Sequence, residues 1–280
     1  MAAEHLIITG KSGAGVSTTA VNLSAALAEQ GYRVAHLGYD RRRISSVLLR
    51  GDGVLETGCG YPAEAACHAA RLECAQGYRD ILCIECGSAA DNDATPDFGA
   101  LCRLELLARH NPEFVVHDIA GEPAEVLPFL RTEGEAARVI VVVSADFGAL
   151  TTLNNFLEFF TAEAEGGLRY GGIVANNISG PFFESIVDDF LRQTGTRAFA
   201  SIPRSLMVSA GEYLKQSVIE SAPESHLSSV YRKLARLVSQ GLAPAAPLPF
   251  PPAAFAGWLQ KWSEITEELE CGLVRDGAAI

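Results

Sequence analysis

The chain has 280 residues, and 34 Asp and Glu against 22 Lys and Arg give it a net charge of −12. The length allows a full buried core, the apolar fraction of 48% excludes a wholly disordered chain, and the acidity argues against nucleic acid as a partner. No apolar run approaches the roughly 18 residues of a membrane span and the start, Met1 to His5, lacks a signal-peptide pattern, so a cytoplasmic protein with no membrane partner and mostly reduced cysteines is expected.

Short apolar runs alternate with longer helical patterns. His5–Thr9 reads as a buried strand, and Ser17–Gln30 as a helix with Val21, Leu23, Leu27 and Ala28 at its apolar positions. Arg33–Leu37, Asp80–Glu85, Glu113–Asp118, Arg138–Ser144, Gly171–Ala175 and Ala198–Ile202 read as further strands. Helical patterns lie over 63–76, 98–109, 147–163, 181–194, 207–217 and 224–240. This alternation predicts an α/β fold, a mostly parallel sheet with helices on both faces. Gly241–Pro252 holds five prolines in twelve residues, which excludes a helix and predicts an extended connector. Ala253–Glu270 then predicts one amphipathic helix, with Phe255, Trp258, Leu259, Trp262 and Ile265 on its stripe. That helix either folds back on its own domain or offers a docking surface. The expected division is 1–240 as an α/β domain, 241–252 as connector, and 253–280 as C-terminal helix and tail.

The first strand ends in Gly10, Lys11, Ser12, Gly13, Ala14, Gly15, Val16, Ser17 and Thr18, and a helix follows. Strand, glycine-rich loop and helix in this order make a P-loop, whose small residues let backbone N–H groups turn toward phosphates. ATP or ADP with Mg²⁺ is the expected ligand. Ser17 is placed to ligate the metal, but Val16 stands where the usual pattern has Lys. The strand end at Asp118 fits a Walker B carboxylate that supports Mg²⁺. The Ile119–Glu122 loop after it reads as a switch in which Glu122 positions water. Asp40 follows the second strand and precedes three arginines, Arg41 to Arg43, whose charge would partly offset the lost lysine. Asn176 and Asn177 end a strand on the nucleotide side.

Lys11, directly after the first glycine, resembles the signature of deviant Walker A loops, found in Min-type and partitioning ATPases and in the nitrogenase iron protein. In that class this lysine reaches across a dimer to the other subunit's phosphates. Within the class the chain resembles the nitrogenase iron protein and its relatives in dark protochlorophyllide and chlorophyllide reduction, over roughly residues 5–265. Residues 10–40, the segment Gly77–Gly87, FVVHDIAGE at 114–122, GGIVANNIS at 171–179 and IPRSLMVSAGEYLKQSVIESAPES at 202–225 carry the likeness. The resemblance implies a P-loop NTPase fold, a nucleotide-binding homodimer, a larger partner of the nitrogenase-component type, an adenine contact at Asn176, and catalytic roles for Lys11, Asp40 and Glu122.

It also implies two cysteines per subunit around a shared [4Fe–4S] cluster. The loop after the Cys83 strand has no Cys across Ala89–Gly99, and the second ligand position, seven residues after Asp118, is Glu125. The cluster is therefore expected to be absent. Cys83 reads as a core residue and Cys86 as the more exposed thiol. Cys86 with Cys102 across a dimer is the weak candidate for a relocated cluster; Cys59, Cys67 and Cys74 read as structural. His68, His110 and His117 lack metal-ligand spacing. The expected function is a cluster-less nucleotide-binding switch protein, weak or inactive in ATP hydrolysis, acting on a larger partner. The alternatives are an ATP-dependent reductase with an atypical cluster site and a Min/partitioning-type regulatory ATPase.

Overall fold

The computed structural model describes residues 3–57, 73–86, 105–124, 126, 137–162, 168–241 and 247–272. Strands β1 (Glu4–Thr9), β2 (Val34–Gly38), β3 (Glu56–Thr57), β4 (Glu73–Gln76), β5 (Leu82–Glu85), β6 (Phe114–Asp118), β7 (Ala137–Val143), β8 (Leu168–Ile178) and β9 (Ala198–Pro203) form one sheet. Their order is β3-β4-β5-β2-β6-β1-β7-β8-β9. From β5 to β9 every pairing is parallel, whereas β3–β4 and β4–β5 are antiparallel. The central strands are rich in Val, Ile and Leu and buried along nearly their whole length because both their faces are covered.

The described helices are α1 (Val16–Glu29), α2 (Val47–Arg50), α3 (Glu105–His110), α4 (Phe147–Ala162), α5 (Pro181–Gln193), α6 (Leu206–Leu214), α7 (Val218–Ser221), α8 (His226–Ser239) and α9 (Pro252–Glu270). On one face, Leu6, Ile8, Val116 and Val142 pack with Leu23 and Leu27 of α1 and Tyr231 and Leu234 of α8. On the other, Ile7, Leu37, Val115 and Val139 share a core with Phe156 of α4, Phe190 of α5 and Trp258 of α9. Asn22 ties α1 to α7, its Oδ1 accepting from the Val218 amide at 2.8 Å.

One expected element differs. Residues 73–76, read as the end of a helix over 63–76, form strand β4, between β3 and β5; the rest of that segment lies outside the described residues. Only Glu105–His110 of the helix expected over 98–109 falls within them. The C-terminal helix α9 lies against α5, where Asp189 Oδ2 accepts from the indoles of Trp258 (2.9 Å) and Trp262 (3.0 Å) and from Lys261 Nζ (3.1 Å). No described helix is long and apolar enough to cross a membrane.

Candidate functional site

The loop Gly10–Thr18 runs from the C-terminal end of β1 into α1. Gly10 has φ 144°, and a Cβ there would lie 2.3 Å from the Val142 carbonyl oxygen, so only glycine passes β7 at this point. Gly15 has φ 88° and begins α1 with no side-chain cap. Its missing Cβ leaves room for Asn176, whose Nδ2 donates to the Ala14 carbonyl at 2.8 Å. Asn176 thus props the loop from β8. The Ala14 amide donates back to the Lys11 carbonyl at 3.0 Å and closes the turn. Ser12, Gly13 and Ser17 are exposed. The uncapped amides at the start of α1 suit a phosphate. Val16 is buried at 3% exposure in the core with Leu6 and Ile8, so its position supplies no charge to the loop.

Ser17 Oγ donates to Asp118 Oδ1 at 3.0 Å. Asp118 Oδ2 is buried without a hydrogen-bond partner. Burial pushes the Asp118 carboxyl up to about 7, against hydrogen bonds from Ser17 and Ser45 that pull it down. A hydroxyl and a carboxylate with a vacant lone pair fit a Mg²⁺ ion bound with nucleotide phosphates. In register across the sheet, Gly38 pairs with Asp118 on one side and Glu85 on the other. Glu85 is fully buried and accepts from the Ser46 amide (2.8 Å) and hydroxyl (2.5 Å). Desolvation nonetheless raises its carboxyl. The segment after Asp40 is thereby fixed to β5 through Ser46 and to Asp118 through Ser45.

Asp40 accepts from Arg42 through its amide (2.7 Å) and its guanidinium (3.0 Å), and the guanidinium hydrogen bond holds the carboxyl below its usual range. Arg43 pairs with Glu73 on β4. Glu122 accepts from Thr152 Oγ1 and, at 3.2 Å, from Asn155 Nδ2, both on α4. Lys11 Nζ lies 2.8 Å from Asp146 Oδ1, just after β7, with Gly148 beneath it. Asp118, Ser17, Asn176 and the loop therefore form one cluster at the C-terminal ends of the strands. Lys11, Asp40 and Glu122 are each held by a partner of their own. Asp146, Ser45, Ser46, Glu85, Thr152 and Asn155 were not read from the sequence. The available signal was position, since Asp146 and Glu85 fall at or just past the carboxyl ends of parallel strands, where such folds bind ligands.

The thiols differ from expectation. Cys86 is 2% exposed rather than the more open one, because its amide is tied to the Gly38 carbonyl at 2.8 Å and the side chain enters the core. Burial raises its thiol far above its usual range and pushes Cys83 up to about 12. Such thiols are poor thiolate ligands. Cys74 is in a disulfide. Cys59, Cys67, Cys102, Glu125, His68 and Ala89–Gly99 lie outside the described residues. Among the described residues no group of three or more His, Cys, Asp or Glu is arranged to hold a metal ion.

Solved structures with this fold include the septum site-determining protein MinD complexed with Mg-ADP from Pyrococcus horikoshii OT3, at TM-score 0.63, 20% identity, and coverage of 86% of this chain and 97% of that one. A ParA family ATPase from Chlorobium tepidum TLS matches at TM-score 0.63 and 14% identity, over 84% and 99% of the two chains. Nitrogenase iron protein 2 of Paenibacillus durus is 31% identical, covering 99% of this chain and 97% of its own length. A nitrogenase iron protein of Methanospirillum hungatei JF-1 is 29% identical over 83% of this chain and 86% of its own. The family of 4Fe-4S iron sulfur cluster binding proteins, NifH/frxC, matches residues 4–264. On its P-loop sheet and on that near full-length match, the chain belongs to the NifH/frxC family.

Proposed function

We propose that this chain is a nucleotide-binding switch protein that works as a homodimer on a larger partner protein, without the family's cluster and with slow or absent ATP hydrolysis. The observation that carries this is the phosphate loop, which has glycine turns at Gly10 and Gly15 and an uncapped helix start but a buried valine where the usual pattern has a lysine. Phosphoryl transfer depends on electrostatic stabilisation, so binding geometry survives better than turnover. The Ser17–Asp118 pair supports Mg²⁺ with the nucleotide. Absence of the cluster rests on the sequence at Ala89–Gly99 and Glu125 and on the burial of Cys86. Family membership itself favours the rival reading, an ATP-dependent electron donor with a relocated cluster.

Anaerobic purification with iron and sulfide analysis separates the two. The expected result is substoichiometric iron and a featureless visible spectrum; four irons per dimer would establish the reductase instead. The loop is tested by comparing wild type with Val16→Lys. MgATP turnover should rise by at least about tenfold, in keeping with the loss seen when one charge-stabilising group is removed from such sites. Equal turnover in the two proteins would show that position 16 is not the limiting defect.

A further inference from the structure

Helix α9 is anchored through its first half only. Phe255 and Trp258 pack toward Phe190 and Phe250, Trp262 packs on Phe182 and Trp258, and Asp189 holds both indoles. Beyond Trp262 the helix reads SEITEELE, with four Glu and no basic residue. Glu264, Glu267 and Glu270 are spaced three apart, and Glu268 is four from Glu264, so like charges stack along the helix surface. They also sit at the negative end of the helix dipole, with no basic residue in the last turn. Among the described residues none of the four is in an ion pair. Beside this half lies a groove of about 830 Å³, lined by Phe147, Leu150, Trp258 and Trp262, with Glu267 and Glu270 at its edge. Phe147 is 64% exposed on it.

We propose that this groove docks a basic amphipathic helix of a partner protein. The apolar floor takes anchors at helical spacing, and lysines or arginines on the flank of that helix neutralise the four glutamates, relieving both the repulsion and the dipole conflict. The charge excludes the other obvious occupants. An anionic lipid surface would be repelled, and the same helix end of a second copy would bring four more glutamates against these. The groove has the size of an ordinary ligand cleft, roughly 300–1,000 Å³. Its Ala145 and Phe147 flank Asp146, the carboxylate that holds Lys11, so an occupant sits against the turn that carries this lysine's partner. The docking surface stands whether or not the protein hydrolyses ATP.

Trp258 and Trp262 are the chain's two tryptophans, so intrinsic emission reads the groove directly. The full chain is titrated with a helical peptide of Leu and Lys at amphipathic spacing, with a Ser/Lys peptide of equal charge, and with phosphatidylserine vesicles. A saturating emission change is expected with the Leu/Lys peptide alone. Its affinity should fall at least about tenfold in the double variant Glu267→Lys, Glu270→Lys, as removal of complementary charge predicts. Phe147→Ser should weaken it similarly. All of these side chains are exposed, and an unchanged starting emission spectrum certifies the fold; if the double variant misfolds, Phe147→Ser carries the test. Equal binding of the Ser/Lys peptide, undiminished affinity in the variants, or a response to vesicles overturns the proposal. So does a change of oligomeric mass in the peptide-free variants, which would make a second copy the occupant.

Discussion

Asp118 illustrates how one side chain is shaped for a ligand at a cost to the empty protein. It is 3% exposed, and one carboxylate oxygen has no hydrogen-bond partner. Burial raises its pKa to about 7 from 3.8. A carboxyl raised in the folded state contributes stability below its unfolded pKa and loses it as pH rises through the folded value. Asp118→Asn removes that loss while keeping an acceptor for Ser17. In buffer free of nucleotide and magnesium, the variant should match wild type near pH 4, gain on it as pH rises, and level off above pH 7. The gain has an upper bound of about 4 kcal/mol at roughly 1.4 kcal/mol per pKa unit. Urea unfolding across this range checks it; a constant difference at all pH values would sink the argument. The position of Asp118 was legible from its place at the end of FVVHD. Its orphan oxygen was not, because that depends on Ser45 and Glu85, which come from other strands and loops. Likewise the Lys11–Asp146 pair joins residues 135 apart, and no local pattern announces it.

Among the elements, those with one long period were readable and those without it were not. The buried strands β1, β6 and β7 and the helices α1, α4 and α5 stand out because a face-covered sheet demands continuous apolar runs and its helices demand a stripe. β4 failed that test. It is four residues long, half exposed, and carries Glu73 and Gln76, while the seven-residue spacing of Cys67 and Cys74 mimics a helical face. Helix α9 was readable as a helix, but its anchor was not, since Asp189 is 69 residues from Trp258. Desolvation would raise the Asp189 carboxyl, yet hydrogen bonds from Lys261, Trp262 and Trp258 together hold it below its usual range. Removing it leaves two indole N–H groups without an acceptor. Asp189→Ala should therefore cost about 2–4 kcal/mol and free the first half of α9. Asp189→Asn, which retains one acceptor, should cost less. Thermal unfolding with tryptophan emission reads both effects. If Asp189→Ala changes neither stability nor emission, the aromatic cluster alone holds α9.

Taken as a whole, the sheet carries an acid sensitivity that its composition hides. His5, His36 and His117 sit on β1, β2 and β6, three adjacent central strands. Tyr39 Oη lies 2.9 Å from His117 Nδ1, and His117 Nε2 lies 3.0 Å from His5 Nδ1, a chain of neutral rings on one face. His36 faces the other side, 3.1 Å from Ser24 Oγ. Burial lowers His5 to about 4 and His36 to about 3, and carries His117 well below 6.5. A base lowered in the folded state gives its full stability above the unfolded pKa of 6.5 and loses it as pH falls toward the folded value. Between pH 6.5 and 4, therefore, these three groups take up protons on unfolding. Asp118, raised to about 7, releases a proton on unfolding in this window and opposes them, and Glu85, raised by desolvation, works in the same direction. Three groups against two leave a net uptake of protons, so unfolding free energy should fall as pH drops below 6.5, each group contributing at most about 1.4 kcal/mol per pH unit. Asp118→Asn removes one opposing group and should steepen the fall by a similar amount, whereas His36→Gln should flatten it. Urea titrations at pH 5, 6 and 7 on the three proteins measure these slopes without any nucleotide. Parallel slopes in all three would mean that the central sheet does not set the acid limit, which would then belong to the carboxylates of the surface.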